Sequence, residues 1–185
     1  MAGRPAIFLD RDGVLNDVVW RDGRPASPRS AAELRIADGA AEAVEAFRAA
    51  GYLTFVVTNQ PDVRRGRMTA EALDDVHAAL DEVLAVDEIR ACLHDDADAC
   101  DCRKPKAGMV LDLAARWGVD LSASWMVGDM DRDIQSGRAA GVRTVLLARP
   151  YNSGAGADVV VPDLRQAAAW ILQTLPASLT PALQD

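Results

Sequence analysis

Two aspartates separated by one residue follow a short apolar run near the start of the chain. The run Ala6-Ile7-Phe8-Leu9 leads directly into Asp10-Arg11-Asp12-Gly13. Side chains at positions i and i+2 of an extended segment point to the same side, so both carboxylates would face one crevice. Like charges this close need a cation between them. One carboxylate can then act as a nucleophile while the other transfers protons, and a solvated Asp-Gly turn is the structural alternative.

Two further apolar runs end in polar groups. Thr58-Asn59-Gln60 ends the run that starts at Leu53, and its hydroxyl and amides can donate to a phosphoryl group, although an ordinary loop start is the simpler interpretation. Asp129 follows Trp125-Met126-Val127-Gly128 and can complete an oxygen shell for Mg²⁺. Asp131 and Asp133 begin the next helical pattern, where the helix dipole favours acids. Asp131 is assigned that role, and Asp133 is placed behind the metal ligands.

The use of basic residues singles out one segment. The chain has two lysines against eighteen arginines, and both lysines lie in Cys102-Arg103-Lys104-Pro105-Lys106. A lysine ammonium is a compact point charge, whereas an arginine guanidinium is a planar fork. Lys104 can therefore neutralise phosphoryl oxygens and a nucleophilic carboxylate, while Arg103 can make a bidentate contact with substrate.

All three cysteines of the chain lie within eleven residues and are accompanied by a histidine. The pattern is Cys92-x-His94-x5-Cys100-x-Cys102. Three thiolates and one imidazole form a closed tetrahedral set, which is typical of structural zinc and leaves no open position for catalysis. Three buried thiols and a surface histidine are the alternative. A bound zinc ion would hold the loop that carries Arg103 and Lys104.

The positioning elements follow from the hydrophobic pattern. Short, nearly continuous apolar runs alternate with amphipathic stretches, which predicts a doubly wound, mainly parallel α/β sheet flanked by helices. Helices are predicted at residues 40–50, 69–84 with Thr69 as N-cap, 107–117, 131–140 and 163–175. Residues 16–36 are expected to form a loop with a short hairpin, leaving no room for a large cap domain. His77 is expected on the surface of its helix.

Length and composition limit the remaining possibilities. The 185 residues suit one domain, predicted at 1–175 with a zinc loop at about 92–102 and a loose tail at 176–185. A net charge of −8 argues against nucleic acid as a partner. No apolar run is long enough for a membrane span, and residues 1–5 lack the apolar stretch of a signal peptide. We therefore expect a cytoplasmic monomer or small homo-oligomer.

Taken together and in this order, the four segments resemble the haloacid dehalogenase (HAD) superfamily of aspartate-nucleophile phosphatases. The resemblance covers residues 5–161. It implies that Asp10 forms an aspartyl-phosphate, and that Asp12 protonates the leaving oxygen and then activates water. It also implies that Asp10, the backbone carbonyl of Asp12, and Asp129 hold Mg²⁺, and that Thr58 and Lys104 bind the phosphoryl group. The substrate would be a small phosphorylated metabolite.

The zinc loop running into Cys-Arg-Lys-Pro resembles one branch of that superfamily, with two known activities. Members act on D-glycero-D-manno-heptose 1,7-bisphosphate or on histidinol phosphate. The motifs around Asp10 and Thr58 favour the heptose type, hence a sugar phosphate and carbohydrate metabolism, whereas the five-residue spacing after His94 favours the histidinol type. A bisphosphate needs extra cations, and Arg65, Arg103, Asn59 and Gln60 are predicted to bind substrate. A non-catalytic zinc-stabilised binding module is the remote alternative.

Overall fold

Strands and helices alternate along the computed structural model, which describes residues 3–154 and 156–174. The strands are β1 (Ala6–Leu9), β2 (Val19–Arg21), β3 (Arg24–Ala26), β4 (Leu53–Asn59), β5 (Glu88–Cys92), β6 (Trp125–Gly128), β7 (Arg143–Leu147) and β8 (Val159–Val161). The helices are α1 (Ala40–Ala49), α2 (Ala70–Leu84), α3 (Gly108–Trp117), α4 (Asp131–Ala140) and α5 (Leu164–Gln173). No helix in these ranges combines the length and apolar character needed to cross a membrane.

Six of the strands form one parallel sheet in the order β5-β4-β1-β6-β7-β8. β1 lies between β4 and β6, and Leu9 is level with Val56 on one side and Val127 on the other. The carboxyl ends of these strands therefore meet at one edge, where the strand order reverses and α/β sheets bind their ligands. The predicted doubly wound α/β fold is confirmed.

Alternating side chains of β1 supply both cores of the molecule. Ile7 and Leu9 pack into a cluster with the apolar faces of α1, α2 and α5, whereas Phe8 packs into a second cluster with α3. All four residues of β1 are buried, as expected for a strand covered on both faces. The chain therefore leaves β1 after Leu9 at the carboxyl edge of the sheet.

Local caps set the ends of the helices. Thr69 is the predicted N-cap of α2, and its hydroxyl accepts a hydrogen bond of 3.1 Å from the Ala72 amide. Asp163 caps α5 rather than starting it, because its carboxylate accepts from the Gln166 amide at 2.8 Å. The predicted end of this helix at Leu175 and the predicted tail at 176–185 lie outside the described residues.

The segment between β1 and α1 forms the predicted short hairpin, made of β2 and β3. Asp22 and Gly23 take the turn with φ of 51° and 70°. Pro25 and Ala26 of β3, with the following Ser27, line the cavities at the carboxyl edge of the sheet. A 3-10 helix at Ala31–Glu33 follows the hairpin before α1 begins.

Candidate active site

The four motifs meet at the carboxyl edge of the sheet. Asp10 follows β1, Thr58 ends β4, Lys104 lies in the loop after β5, and Asp129 follows β6. Their side chains, with those of Asp12, Asn59 and Arg132 among others, line one cavity, which we call the strand-end pocket. Parallel pairing brings these positions together because each strand ends at the same edge.

Lys104 is the central cation of the strand-end pocket. Its Nζ lies 2.8 Å from Asp10 Oδ1 and 2.7 Å from Asp133 Oδ1, and it donates to the Val57 carbonyl at 2.8 Å. Burial alone would lower the pKa of Lys104, but the two carboxylates outweigh it and raise the pKa. The ammonium therefore stays charged while fully buried.

The carboxylates outnumber this single ammonium. Asp10, Asp129 and Asp133 are 4%, 1% and 0% exposed and group closely enough to share an ion. Burial, then the charge of Asp133, raises the pKa of Asp10 to about 6; burial and the charge of Asp10 raise the pKa of Asp129 to about 8. When all three are ionised, three carboxylates and one ammonium carry two net negative charges, so the residues fit a divalent cation that prefers oxygen.

Asp129 has an oxygen to offer a cation, and Asp133 does not. Asp129 Oδ1 is buried without a hydrogen-bond partner among the described residues. Both oxygens of Asp133, in contrast, are engaged. Oδ1 forms an ion pair with Lys104 Nζ, and Oδ2 accepts hydrogen bonds from the amides of Met130 and Asp129 at 2.9 and 3.2 Å. Asp133 thus orients Lys104 and caps α4, behind the positions where a cation would lie.

Asp12 is held as an anion by a set of donors. Arg11, fully buried, lies 3.0 Å from Asp12 Oδ1, and Ser27 and Gln60 donate to Oδ2 at 2.7 and 2.8 Å. Burial acts to raise the pKa of Asp12, but the Arg11 charge and these hydrogen bonds, with one from Asn16, prevail and lower it. Asp12 is therefore held in its ionised form.

The amides of Asn59 and Gln60 work mainly inside the protein. Asn59 Nδ2 donates to the Lys104 carbonyl at 3.0 Å, and Asn59 Oδ1 accepts from the Lys104 amide at 3.1 Å. Gln60 is fully buried and donates to Thr58 Oγ1 at 2.9 Å as well as to Asp12. Asn59 lines the pocket, whereas Gln60 is not among the residues that line it.

A larger cavity of about 930 Å³ opens beside the strand-end pocket, and we call it the arginine cavity. Seven arginines and three aspartates line it: Arg21, Arg24, Arg29, Arg65, Arg67, Arg103, Arg132, Asp22, Asp62 and Asp96. Arg65 pairs with Asp95 through two contacts of 2.5 Å, and Arg103 donates to Asp96 at 2.7 Å. These pairs hold the two predicted substrate-binding arginines in the cavity wall.

Arg132 is a residue that the sequence motifs did not single out. It lies on the first turn of α4, is exposed, and lines both the strand-end pocket and the arginine cavity. None of the ion pairs found among the described residues involves it. Its place three residues beyond Asp129 was the available signal, because a helix that starts at the carboxyl edge presents its first turn to the site.

The predicted zinc ligands lie together. The Cys92, Cys100 and Cys102 sulfurs are 3.1 to 3.7 Å apart, and His94 Nδ1 is 3.2 Å from Cys102 Sγ and 3.7 Å from Cys92 Sγ. Tetrahedral zinc with bonds of about 2.3 Å places sulfurs somewhat under 4 Å apart. No pair is a disulfide, so the geometry and donor set fit zinc.

His77 is less exposed than the sequence predicts. It is half-buried on α2, and its Nε2 is buried without a hydrogen-bond partner among the described residues. Burial, followed by the positive charge of Arg11, lowers the pKa of His77 to about 4. The prediction of a plain surface residue was wrong, because His77 is half-buried and its pKa is affected by the buried Arg11.

The comparisons with known proteins agree with this geometry. A sequence profile of the HAD-hydrolase-like family matches residues 101–167. D-glycero-beta-D-manno-heptose-1,7-bisphosphate 7-phosphatase of Rhodopseudomonas palustris is 39% identical over 151 residues, covering 75% of this chain and 81% of its own. The enzyme of that name from Pseudomonas aeruginosa is 33% identical over 188 residues, covering 92% and 99%.

This chain is a member of the HAD-like phosphatases. A solved structure resembles this HAD-like phosphatase along most of its length: D,D-heptose 1,7-bisphosphate phosphatase from B. bronchiseptica, complexed with magnesium and phosphate. Its TM-score is 0.79 and its identity 31%, and the match covers 92% of this chain and 99% of the other. The predicted family and the enzyme class, a phosphoric monoester hydrolase, are confirmed.

Proposed function

We propose that this HAD-like phosphatase removes the 7-phosphate of D-glycero-D-manno-heptose 1,7-bisphosphate in a magnesium-dependent reaction. The observation that carries the substrate is the arginine cavity, which adjoins the strand-end pocket. A substrate with two phosphates can place one in the pocket while the other meets Arg65, Arg103 and Arg132. The names of the relatives support the same substrate.

Asp10 is the proposed nucleophile. Asp10 Oδ1 accepts a hydrogen bond of 2.8 Å from the Arg11 amide and forms an ion pair with Lys104 Nζ. Asp10 Oδ2 is therefore left for the attack on phosphorus. A new bond forms between Asp10 Oδ2 and phosphorus while the bond to the sugar oxygen breaks. Water then attacks the aspartyl-phosphate, the bond to Asp10 breaks, and phosphate leaves. Lys104 and Thr58 border the transferring group, and their charge and hydroxyl stabilise its oxygens.

Asp12 is the proposed proton carrier. In the first step it must give a proton to the sugar oxygen, and in the second it accepts one from water. The donors around it favour its anion, which suits the second step; the first step requires substrate to displace part of that set. Magnesium, held by Asp10, Asp129 and the Asp12 carbonyl, would supply positive charge to the phosphoryl oxygens.

Histidinol phosphate is the second candidate, favoured by the short spacing in the zinc loop. Histidinol phosphate would need an acidic side chain to bind its amine, and the segment between β1 and α1 offers Asp17 and Asp22. Asp22 lines the arginine cavity, whereas Asp17 faces a different cavity of about 400 Å³ with Trp20 and Tyr151, which we call the side cavity. Five of the seven arginines pair with carboxylates, but Arg24 and Arg132 are in none of the ion pairs among the described residues, so the arginine cavity still favours an anion over an amine.

A substrate comparison tests this proposal. The catalytic efficiency, kcat/KM, would be measured for heptose 1,7-bisphosphate, histidinol phosphate and p-nitrophenyl phosphate. We expect the bisphosphate to be preferred, and Arg103→Gln to reduce its efficiency about tenfold or more while changing that of p-nitrophenyl phosphate little. Faster turnover of histidinol phosphate would reverse the assignment.

The catalytic role itself is tested with Asp10→Asn, which keeps the shape of the side chain and removes its charge. We expect a loss of roughly a thousandfold or more in kcat with any ester, because no nucleophile remains. Asp17→Asn is the matched control, since its side chain faces the side cavity. Undiminished phosphate release by Asp10→Asn would leave the non-catalytic binding module as the better explanation.

Zinc bound by Cys92, His94, Cys100 and Cys102 is the proposed structural cofactor. Cys102 lies two residues before Lys104, so the ion would fix the loop that brings this ammonium to Asp10. The oxygen ligands proposed for magnesium are separate from this set. A cytoplasmic location stays a prediction.

A further inference from the structure

The two oxygens of the Asp129 carboxylate have different surroundings. Oδ1 is buried and has no hydrogen-bond partner among the described residues. Oδ2 accepts a short hydrogen bond from the hydroxyl of Tyr151, which comes from the loop between β7 and β8. A carboxylate with one oxygen held by a protein donor and the other left open is oriented, and the open oxygen can face a cation.

The loop that carries Tyr151 is fastened to the same strand end. Asn152 Nδ2 donates to the carbonyls of Asp129 and Leu147 at 2.7 and 2.8 Å, and Arg149 Nη2 donates to the Gly13 carbonyl at 2.9 Å. The Trp20 ring meets the Tyr151 ring edge-on at 6.2 Å. These contacts leave the Tyr151 hydroxyl little freedom except to point at Asp129.

Gly13 makes room for this arrangement. Its φ is 84°, and a Cβ at this position would collide with Asp129 Oδ2 and would lie 2.9 Å from the Tyr151 hydroxyl. The Asp-x-Asp-Gly turn, the Asp129 carboxylate and Tyr151 are therefore packed as one unit. A substitution in the loop between β7 and β8 can thus affect the position of Asp129, a proposed metal ligand.

We propose that Tyr151 is a positioning residue for the metal: its hydroxyl holds Asp129 Oδ2 so that Oδ1 points at the cation. The inference rests on the proposed magnesium dependence but not on the identity of the sugar substrate. It predicts that loss of one hydroxyl weakens metal binding while the fold and the remaining ligands persist.

The test uses the full chain and Mg²⁺ alone. Tyr151→Phe should raise the dissociation constant for Mg²⁺, measured by isothermal titration calorimetry, about tenfold, as is usual when an outer partner of a metal ligand is lost. The chain has two tyrosines, so Tyr52→Phe, in the buried core, is the matched control and should leave the constant unchanged. An unchanged constant in Tyr151→Phe would overturn the proposal.

A spectroscopic measurement separates positioning from a merely structural role. In protein labelled with ¹³C at tyrosine Cζ, only two signals arise, and Tyr151→Phe identifies which belongs to Tyr151. Addition of Mg²⁺ should shift that signal and leave the Tyr52 signal in place. If the Tyr151 signal does not respond while Mg²⁺ binds, Tyr151 serves the fold alone. If the wild type binds no Mg²⁺, the proposed magnesium dependence fails first.

Discussion

Ionisation of Asp10 and Asp129 is less favourable in the folded protein than in the unfolded chain. Their pKa values, about 6 and about 8, lie above the ordinary value of 3.8, because burial opposes the ionisation of both, together with the charge of Asp133 for Asp10 and the charge of Asp10 for Asp129. At these two carboxyl groups the folded, metal-free protein binds more protons than the unfolded chain between roughly pH 4 and 8. Their contribution to stability therefore falls as pH rises through that window, and a divalent cation bound to them would offset the loss.

The direction of this pH dependence predicts how the stabilisation by Mg²⁺ should vary with pH. The rise in melting temperature on adding Mg²⁺ should be small at pH 5.5 and should reach about 5 °C or more at pH 8.5 when Mg²⁺ is about 100 times its dissociation constant. Differential scanning calorimetry at the two pH values measures it. Asp129→Asn should lose this response, while Asp131→Asn keeps it. An equal rise at both pH values would contradict the explanation.

His77 predicts a second pH effect, of opposite origin. Its folded-state pKa of about 4 lies below the ordinary value of 6.5, so the unfolded chain takes up a proton first and stability is lost as pH falls from 6.5 toward 4. His77→Leu removes this loss and should make the protein roughly 2 kcal/mol less sensitive to acid over that range.

Urea unfolding of wild type and His77→Leu at pH 7 and pH 4.5 measures the difference. Other acid-sensitive groups affect both proteins equally, so they cancel. The same loss of stability in both proteins would show that His77 is exposed enough to take up its proton in the folded state.

At the scale of elements, the site depends on loops that follow strands. The loop after β5 is held at one end by the cysteine cluster and at the other by the bonds between Asn59 and the Lys104 backbone. The segment between β1 and α1 is held by Arg29, whose Nε lies 2.9 Å from Asp62 Oδ2. Each loop is thus held at the site by specific polar contacts in addition to its packing against the core.

The zinc loop therefore predicts a linked loss of metal, stability and activity. Protein purified without added metal should contain about one zinc per chain by elemental analysis. Cys100→Ser should lower the zinc content, the melting temperature and kcat even with saturating Mg²⁺, because Lys104 is no longer held beside Asp10. Asp101→Asn, in the same loop but outside the ligand set, is the control. Full activity of a zinc-free protein would separate the loop from catalysis.

At the scale of the whole molecule, charge is distributed unevenly. The chain has a net charge of −8, yet seven arginines line the cavity beside the strand-end pocket. The net negative charge repels an anion, whereas the excess of arginines over aspartates among the residues that line the cavity attracts one. Selectivity for an anion therefore comes from the local cluster, and this attraction must weaken as salt screens it.

Salt dependence tests that distribution. Between 50 and 300 mM KCl, kcat/KM for a sugar bisphosphate should fall severalfold, about three times or more, and that for p-nitrophenyl phosphate should change less. Arg132→Gln should reduce the difference between the two substrates, and Arg48→Gln, on α1 and outside the cavity, should not. Equal salt dependence for both substrates would show that the arginine cavity does not contact the second phosphate.

The motifs and the parallel sheet were accessible from the sequence. Apolar runs predicted the buried strands, and the rule that parallel strands share a carboxyl edge brought Asp10, Thr58, Lys104 and Asp129 to one place. The cysteine spacing likewise predicted a cluster that the structure forms. These features are local patterns combined with one rule of topology, so they need no knowledge of side-chain positions.

Only the tertiary structure decided which partners each group has. Gln60 donates to Asp12, the buried Arg11 affects the pKa of His77, and Tyr151 reaches Asp129 from a loop 22 residues away. Such contacts depend on loop paths and on the rotamers that dense packing allows, and short-range patterns carry neither. The chain itself thus determined which chemistry is available, whereas the packed fold decided how each charge is held and which oxygen remains open.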